Sequence, residues 1–530
     1  MKGTIRAILG AATVCACFAF AANDVNAATG IYVGKDVSAD DSMLVGVTLE
    51  YGLGSAGVPV IIEKGTIRKG DVIESQNGFK YTMPEDNEKV LLQRLMKYVG
   101  IGEWNTCASN EYGVSVLSGI TTDPCIEAVQ ADTFAEDGVC EDKIPLILAA
   151  TSKSAKDAVR TLCSLYEESG ACAAETVLIA DQEGAWIVEN FTGHQYVATR
   201  LPDDKIAVFS NEPVIRTVDP DDKDTIVSSD LFTLPEKNGF AVYDDDKNID
   251  LILSYTADNK YCDECHLREW AGHNVFAPSE ALAYDEGSGF DLFFTPDDKV
   301  TLDQAFDLFR YRYEGTDYDL SKEGNDIHYG INNQFVANAN VIQIFDDVPA
   351  ALSTVLWTTP ANQTASPFIP IPVHASTIPE SFSTDIEDDE YVDGILQNDF
   401  AKLNNGVYQR RQLYGGSIRQ YWEGMESVSA TDVLVNIHKN WKDVSDEEAV
   451  KQIDDFVAKV VEGADENCIR LNNELEWYLF RNGIRKQSVP DEELDPFECS
   501  FDAVSFAREN GWETNVANDV FTAEKDGKKI

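Results

Sequence analysis

Hydrophobic and polar positions alternate in the segment that follows the apolar N-terminal run. Alternation over Thr29–Lys35 indicates a strand, and Ser42–Glu50 is a second apolar stretch of strand length. Between them, Asp40 and Asp41 are residues typical of a turn. The pattern predicts a β-hairpin that begins near residue 28.

Later segments alternate between helical and strand-like patterns. In Asp86–Tyr98 and in Ser154–Tyr166 the apolar residues recur at helical spacing, which predicts a helix in each. Short apolar stretches bounded by Asp, Asn and Gly turns predict strands at Gly113–Leu117, Thr176–Ala180, Ala185–Glu189 and Ile206–Ser210. Interleaved strands and helices place the chain in the α+β class.

Beyond Asp385 the pattern becomes mainly helical, with amphipathic stretches at Ile395–Met425 and Glu447–Tyr478. We therefore divide the chain into four parts. They are an N-terminal segment, residues 1–27; a mixed domain, residues 28–384; a helical section packed on it, residues 385–487; and an acidic tail, residues 488–530.

The N-terminal segment has the pattern of a signal peptide. Lys2 and Arg6 precede an apolar run, Ala7–Ala22, and Val25-Asn26-Ala27 matches a small-residue cleavage site. Cleavage there makes Ala28 the mature N-terminus and predicts a protein that is secreted or lies on the exterior of the cell envelope. The alternative, lipoprotein cleavage before Cys17, would cut inside the apolar run.

Charge and hydropathy argue against nucleic acid binding and against a membrane-spanning segment. The 92 acidic and 42 basic side chains give a formal charge of -50, which repels nucleic acid phosphates. The apolar run is shorter than the ~20 residues that a bilayer requires, and no later segment is long and uncharged enough. We expect neither nucleic acid binding nor a membrane-spanning segment.

Cysteine pairing stays open at this stage. Of 11 cysteines, Cys15 and Cys17 lie in the predicted signal peptide, which leaves 11 − 2 = 9 in the mature chain. An oxidising compartment favours disulfides, with Cys163–Cys172 or Cys107–Cys125 as local candidates, but spacing alone does not fix the pairs.

Several motifs of the mixed domain carry a resemblance to known hydrolases. They are Ala28-Thr29-Gly30-Ile31-Tyr32, Asn110-Glu111-Tyr112-Gly113, Thr192-Gly193-His194-Gln195-Tyr196, Asp291-Leu292-Phe293-Phe294-Thr295-Pro296 and Arg312-Tyr313-Glu314-Gly315-Thr316. From Ala28 to about Trp422 the chain resembles the secreted bacterial dipeptidases of the N-terminal-nucleophile (Ntn) hydrolases, which are related to penicillin V acylase and bile-salt hydrolase. The resemblance implies a four-layer αββα sandwich, two antiparallel sheets between helices.

The resemblance also shows what this chain has lost. Family members begin Cys-Thr, and the first side chain attacks the carbonyl while the α-amino group takes the proton. Ala28 occupies that position, and a methyl group has no lone pair with which to attack. Where the family has an arginine beside the nucleophile, this chain has Val47. The family's acid that stabilises the N-terminal amine corresponds at best to Glu50. The family motif Glu-x-His-Val-Phe-Gln-Ile-Arg is similar to 338–345, which carries Asn338, Asn340 and Phe345 at its charged or titratable positions.

Three polar residues are candidates for a retained binding role. Asn211, in Ser210-Asn211-Glu212-Pro213, resembles the oxyanion-hole asparagine of the acylase relatives, and Asn110 lies in a matched motif. Both asparagines are equally well explained as turn caps. His194 is a candidate for orienting a substrate carboxylate, although a histidine held by neighbouring backbone is the commoner case.

Two alternatives compete with a loss of catalysis or with a binding role. Cleavage one residue later would make Thr29 an N-terminal nucleophile, but it would place Asn26 where a small apolar residue is preferred. A shift of one residue also turns the side chain to the other face of a strand.

The second alternative concerns Cys262, Cys265 and His266, which have the spacing of a c-type haem site. A disulfide, or zinc bound with His273, would explain the same residues, and we assign no cofactor.

The sequence therefore predicts an exported dipeptidase-family protein that is catalytically impaired and binds short peptides or peptide-like cell-wall fragments. An active dipeptidase that uses Thr29 is the first alternative. A structural or haem-carrying surface protein is the second.

Overall fold

A computed structural model describes most of the chain. The described residues are 28–50, 56–95, 103–256, 263–280, 282–284, 290–320, 322, 330–385, 392, 394–408, 411–483, 513–517, 520–525 and 528–529. The predicted signal peptide, residues 1–27, therefore lies outside the described residues.

The first sheet contains the mature N-terminus. Its six strands run antiparallel in the order β12-β1-β2-β14-β15-β16. The predicted hairpin is confirmed, because β1 pairs antiparallel with β2. The strands are β1 Gly30–Val33, β2 Met43–Glu50, β12 Ile206–Phe209, β14 Val336–Ile344, β15 Thr354–Thr358 and β16 Ile369–Pro372.

The second sheet has eight strands in the order β13-β11-β10-β9-β8-β7-β6-β3. They are β3 Gly57–Ile62, β6 Val90–Leu95, β7 Asn105–Asn110, β8 Ser115–Thr122, β9 Ala174–Asp181, β10 Gly184–Asn190, β11 Tyr196–Arg200 and β13 Thr225–Val227. A separate hairpin joins β4 Val72–Glu74 to β5 Lys80–Thr82.

Alternate residues of the second sheet enter two different cores. Leu91 packs with the first sheet, whereas Val90 and Leu92 pack with helices on the opposite face. Because successive side chains of a strand point to opposite faces, this sheet is covered on both sides. The sheets therefore pack face to face in one hydrophobic core.

Helices cover the outer faces and complete a four-layer αββα sandwich. Helices α2 and α3 pack on the second sheet, and α6, α7, α10 and α11 pack on the first. The helices are α1 Ile126–Ala131, α2 Ile144–Thr151, α3 Ala155–Ser169, α4 Thr233–Asn238, α5 Leu251–Tyr255, α6 Asp263–Phe276, α7 Leu302–Arg310, α8 Glu380–Ser383, α9 Leu396–Tyr408, α10 Arg411–Val435 and α11 Asp446–Gly483. Helices α9 to α11 confirm the C-terminal helical section. Among the described residues, none of the helices is both long and apolar enough to cross a membrane.

One predicted helix is wrong. Residues 86–98 were expected to be helical, but Val90–Leu95 form the strand β6 between β3 and β7. A strand covered on both faces carries apolar residues in a run, and a short apolar run does not distinguish a helix from a buried strand. The helix predicted at Ser154–Tyr166 is confirmed as α3, whose N-cap Ser154 accepts a hydrogen bond from the Asp157 N–H.

The predicted acidic tail contains strands that the pattern did not indicate. Within residues 488–530, three described strands form a small antiparallel sheet in the order β17-β18-β19. They are β17 Glu513–Ala517, β18 Val520–Lys525 and β19 Lys528–Lys529.

Candidate functional site

The backbone of Ala28 lies in a buried frame at the start of β1. Its N–H donates to Asn211 Oδ1 at 2.5 Å, and its carbonyl oxygen accepts from Arg268 Nη1 at 2.8 Å. Ala28 is fully buried in the full-length chain. Three distant segments thus meet at the residue that the resemblance places at the nucleophile position.

An ion pair inside the protein forms the charged part of this frame. Arg268 Nη2 lies 2.9 Å from Glu50 Oε1, and both side chains are at most 1% exposed. Arg268 belongs to α6, which approaches β12 so closely that a Cβ on Gly272 would lie 2.4 Å from Val208 Cβ. Glycine at this position therefore lets α6 place Arg268, one turn earlier on the same helix, beside Ala28.

Asn211 is held from both sides of its amide. Its Oδ1 accepts from Ala28, while its Nδ2 donates to the carbonyl of Thr121 in β8 at 2.9 Å. The segment that follows is anchored by the buried Glu189, which accepts from the N–H groups of Val214 and Ile215. Burial raises the pKa of Glu189 to about 7, although those two hydrogen bonds oppose the shift. Asn211 thus links β1 to the second sheet.

Thr29 has different partners from Ala28. Its N–H donates to Thr48 Oγ1 at 2.9 Å, and its hydroxyl oxygen accepts from Arg268 Nη1 at 3.3 Å. The Asn211 hydrogen bond is made by the backbone nitrogen of Ala28. The frame is therefore centred on residue 28, one position before the alternative nucleophile.

Two of the positions at which the resemblance implies charged residues are neighbours in the first sheet. Val47 lies between Gly30 of β1 and Asn340 of β14 in the strand register. Asn340 and Asn338 are fully buried, and Asn340 Oδ1 accepts from Thr358 Oγ1 at 2.7 Å. An uncharged side chain and two amides thus occupy the strands next to Ala28.

Asn110 lies at the other end of β8 from Thr121. Its Nδ2 donates to the carbonyls of Ala149 and Ser152, and its Oδ1 accepts from the N–H groups of Tyr112 and Val114. All four hydrogen-bonding positions of the amide are used by the protein. At ~3.3 Å per residue, the hairpin that Asn110 closes is roughly 20 Å from Thr121 along the strand. The structure gives this asparagine a turn-capping role.

His194 lies on the hairpin between β10 and β11 and pairs with an acid. Its Nδ1 is 2.8 Å from Asp132 Oδ1, and its N–H donates to Asp132 Oδ2 at 2.7 Å. The side chain is 46% exposed. The partner of its ring is a carboxylate rather than a backbone group, and among the described residues no contact joins His194 to the Ala28 frame.

The Cys-x-x-Cys-His segment opens α6. Cys262 lies outside the described residues, while Cys265 and His266 are buried. His266 Nε2 lies 3.4 Å from Glu212 Oε2, next to Asn211 in the chain. Within the described part of the chain, no group of three His, Cys, Asp or Glu residues is arranged to hold a metal ion.

A cavity of about 360 Å³ lies beside the frame. The segment 212–218 forms one wall, α6 contributes His266 and Glu269, and residues 290–293 form another wall. Neither Ala28 nor Arg268 lines it. The cavity is large enough for a small molecule, and Glu212 in its wall is the chain neighbour of Asn211.

Arg268 was missed by the sequence analysis. It lies in the segment that drew attention for its cysteines and histidine, three residues after Cys265. In the sequence, Arg268 is an ordinary basic residue, and its burial becomes visible only in the fold. Its contact with Ala28 spans 240 residues of chain, so its role depends on tertiary packing.

The four-layer sandwich and the frame at the start of β1 define a protein of the Ntn-hydrolase class. Residues 27–410 match peptidase family C69, and the chain belongs to this family.

Two relatives and one solved structure illustrate the similarity. Probable dipeptidase B of Streptococcus pyogenes serotype M1 is 24% identical over 468 residues, 84% of this chain and 89% of that protein. A probable dipeptidase of Salmonella dublin is 25% identical over 359 residues, 65% of this chain and 81% of that protein. A variant of the conjugated bile acid hydrolase from Clostridium perfringens is 11% identical, covering 63% of this chain and 89% of that chain with a TM-score of 0.26.

Proposed function

We propose that this chain is an exported, non-catalytic member of family C69 that binds short peptides or peptide-like cell-wall fragments. The observation that carries the proposal is the methyl group of Ala28 within an otherwise assembled frame of Asn211, Arg268 and Glu50. A side chain without a lone pair forms no acyl-enzyme. Export rests on the pattern of residues 1–27.

The neighbouring positions support a loss of catalysis that extends beyond one residue. By resemblance, Val47, Asn338 and Asn340 replace an arginine, a glutamate and a histidine, and Val47 pairs with Asn340 in the sheet. Removing one partner of a buried ion pair costs about 3 to 5 kcal/mol, because the other charge stays buried. With uncharged residues at all three positions, no unpaired buried charge remains there.

The retained groups favour a ligand with a carboxylate. Cleavage after Ala27 would turn the N–H of Ala28 into an ammonium group, whose unperturbed pKa is ~7.7 to 8. Together with the Arg268 guanidinium, which pairs with Glu50, this ammonium places two cationic groups at the start of β1. Cationic groups at this point attract the C-terminal carboxylate of a short peptide. Dipeptides are the natural probe, because the relatives are named probable dipeptidases.

The frame also favours Ala28 over Thr29 as the mature start. A chain that began at Thr29 would lack the nitrogen that donates to Asn211 and the carbonyl that accepts from Arg268. Both contacts would be lost together, and each is worth about 1 kcal/mol or more.

Calorimetry with a panel of dipeptides tests the binding role. The protein that begins at Ala28 should bind at least one dipeptide, and the matching dipeptide amide should bind roughly tenfold more weakly because it lacks the carboxylate. A matched protein that keeps Ala27 carries its ammonium one residue away, and it should lose a similar factor. The variant His194→Ala should bind like the parent, since His194 is paired with Asp132.

Two results would count against the proposal. The absence of any heat of binding at two temperatures, across the whole panel, would remove the peptide-binding role. Equal affinity for dipeptides and their amides would remove the carboxylate anchor while leaving binding itself intact.

A further inference from the structure

Two cysteines that are distant in sequence lie side by side just before β9, a central strand of the second sheet. Val139 and Ala171 form a parallel β-bridge. The Val139 N–H donates to the carbonyl of Gly170 at 2.7 Å, and the Cys172 N–H donates to the carbonyl of Val139 at 2.9 Å. The chain segments before α2 and before β9 are therefore held in a fixed register at this point.

That register places Cys140 directly opposite Cys172. Each cysteine follows its bridge residue, and paired residues of parallel segments point their side chains to the same side. Hydrogen-bonded segments lie ~4.8 Å apart, and disulfides join Cα atoms separated by about 4.4 to 6.8 Å. The neighbouring Cys172 thiol, together with burial, raises the pKa of the Cys140 thiol. We propose that Cys140 and Cys172 form a disulfide in the mature protein.

The proposed pair differs from both local pairs that the sequence suggested. Cys163 lies on the buried face of α3, where burial raises the pKa of its thiol to about 12. Cys107 is buried in β7, while the Cys125 thiol donates to the carbonyl of Ser254 at 3.4 Å. All of these described cysteines are thiols in the structure. Cys172 thus has Cys140, rather than Cys163, as its thiol neighbour.

The bond forms by thiol–disulfide exchange with a small-molecule disulfide such as oxidised glutathione. One protein thiolate attacks the disulfide and releases one reduced glutathione, and the second protein thiolate then displaces the other. In total, two protein thiols and one glutathione disulfide give one protein disulfide and two reduced glutathione molecules. Two thiol protons pass to solvent and then to the two departing thiolates.

The disulfide would fix a segment that reaches the candidate site. Glu141, next to Cys140, accepts from the hydroxyl of Thr121 at 3.5 Å, and the Thr121 carbonyl accepts from Asn211. Linking residue 140 to residue 172 also restricts the unfolded chain, which raises the stability of the folded form.

Peptide mapping of the purified full chain tests the assignment directly. The protein is equilibrated with a glutathione redox buffer, alkylated, and cleaved after glutamate without reduction. Cleavage after Glu136, Glu141, Glu168 and Glu175 releases residues 137–141 and 169–175, each with one cysteine, and separates them from Cys163. We expect these two peptides as a single cross-linked species that splits on reduction.

Alkylation of both cysteines under these conditions, or a cross-link from either one to another cysteine, would overturn the proposal. A second measurement compares melting temperatures. Cys140→Ser and Cys172→Ser should each lose roughly 5 °C in oxidising buffer, and neither should differ from the parent by that amount after reduction. Cys125→Ser, at another half-buried thiol, is the control and should show no such dependence on redox conditions.

Discussion

Replacing Arg268 with methionine should lower the free energy of unfolding by about 3 to 5 kcal/mol. The substitution removes the guanidinium from Glu50, whose carboxylate lies fully buried 2.9 Å away, and from the carbonyl of Ala28. A buried carboxylate that loses its cation retains the full cost of its desolvation. Chemical denaturation of the variant and the parent at pH 7 measures the difference.

A double variant separates the charge effect from lost packing. Combining Arg268→Met with Glu50→Gln removes both charges, and it should recover most of the stability that Arg268→Met loses. As a control, Lys35→Met removes a partner of Asp346 on the surface, where the side chains are 35% and 40% exposed, and should cost under about 1 kcal/mol. Equal losses from Arg268→Met and Lys35→Met would show that the Arg268 pair does not hold the frame together.

A second large effect is expected where the C-terminal helices meet the sandwich. Arg310, the last residue of α7, donates from Nη1 to Glu426 Oε2 of α10 at 2.8 Å, and both side chains are 2% exposed. Arg310 also donates to the carbonyls of Gln363 and Ser366, and Glu426 accepts from the Phe368 N–H. Replacing Arg310 with methionine should cost about 3 to 5 kcal/mol, because Glu426 and two carbonyls lose their donor together.

Limited proteolysis locates this second effect. We expect Arg310→Met to be cleaved faster within residues 396–483, since the ion pair attaches α10 to the rest of the protein. Arg419→Met provides a matched control on the same helix, because Arg419 is 31% exposed and pairs with Asp307 at the surface. Unchanged cleavage in Arg310→Met would show that the helical section is held by apolar packing alone.

Local patterns were sufficient where the spacing of apolar residues fitted one kind of element. The hairpin of β1 and β2, the helix α3 and the helices α9 to α11 follow from alternation, helical spacing or capping near the predicted positions. The prediction for β6 was wrong because its short apolar run fits a helix as well as a buried strand. The small sheet of β17 to β19 lies in an acidic segment without a clear strand pattern.

The candidate site was predictable only where resemblance supplied a motif. Ala28, Glu50 and Asn211 were named from aligned motifs, and the structure brings all three together. Asn110 was named by the same reasoning, yet its amide is saturated by backbone groups at the far end of β8. Arg268 carries no local signal, since its importance arises from a contact between residues 240 positions apart.

The most direct test of the central claim is the N-terminal sequence and intact mass of the exported protein, followed by a dipeptide hydrolysis assay on the same sample. We predict a mature chain that begins at Ala28, carries no added haem mass, and releases no amino acids above the rate without protein. A chain that begins at Thr29 and turns over dipeptides would contradict the account and establish Thr29 as the nucleophile. Turnover by a chain that begins at Ala28 would contradict it as well.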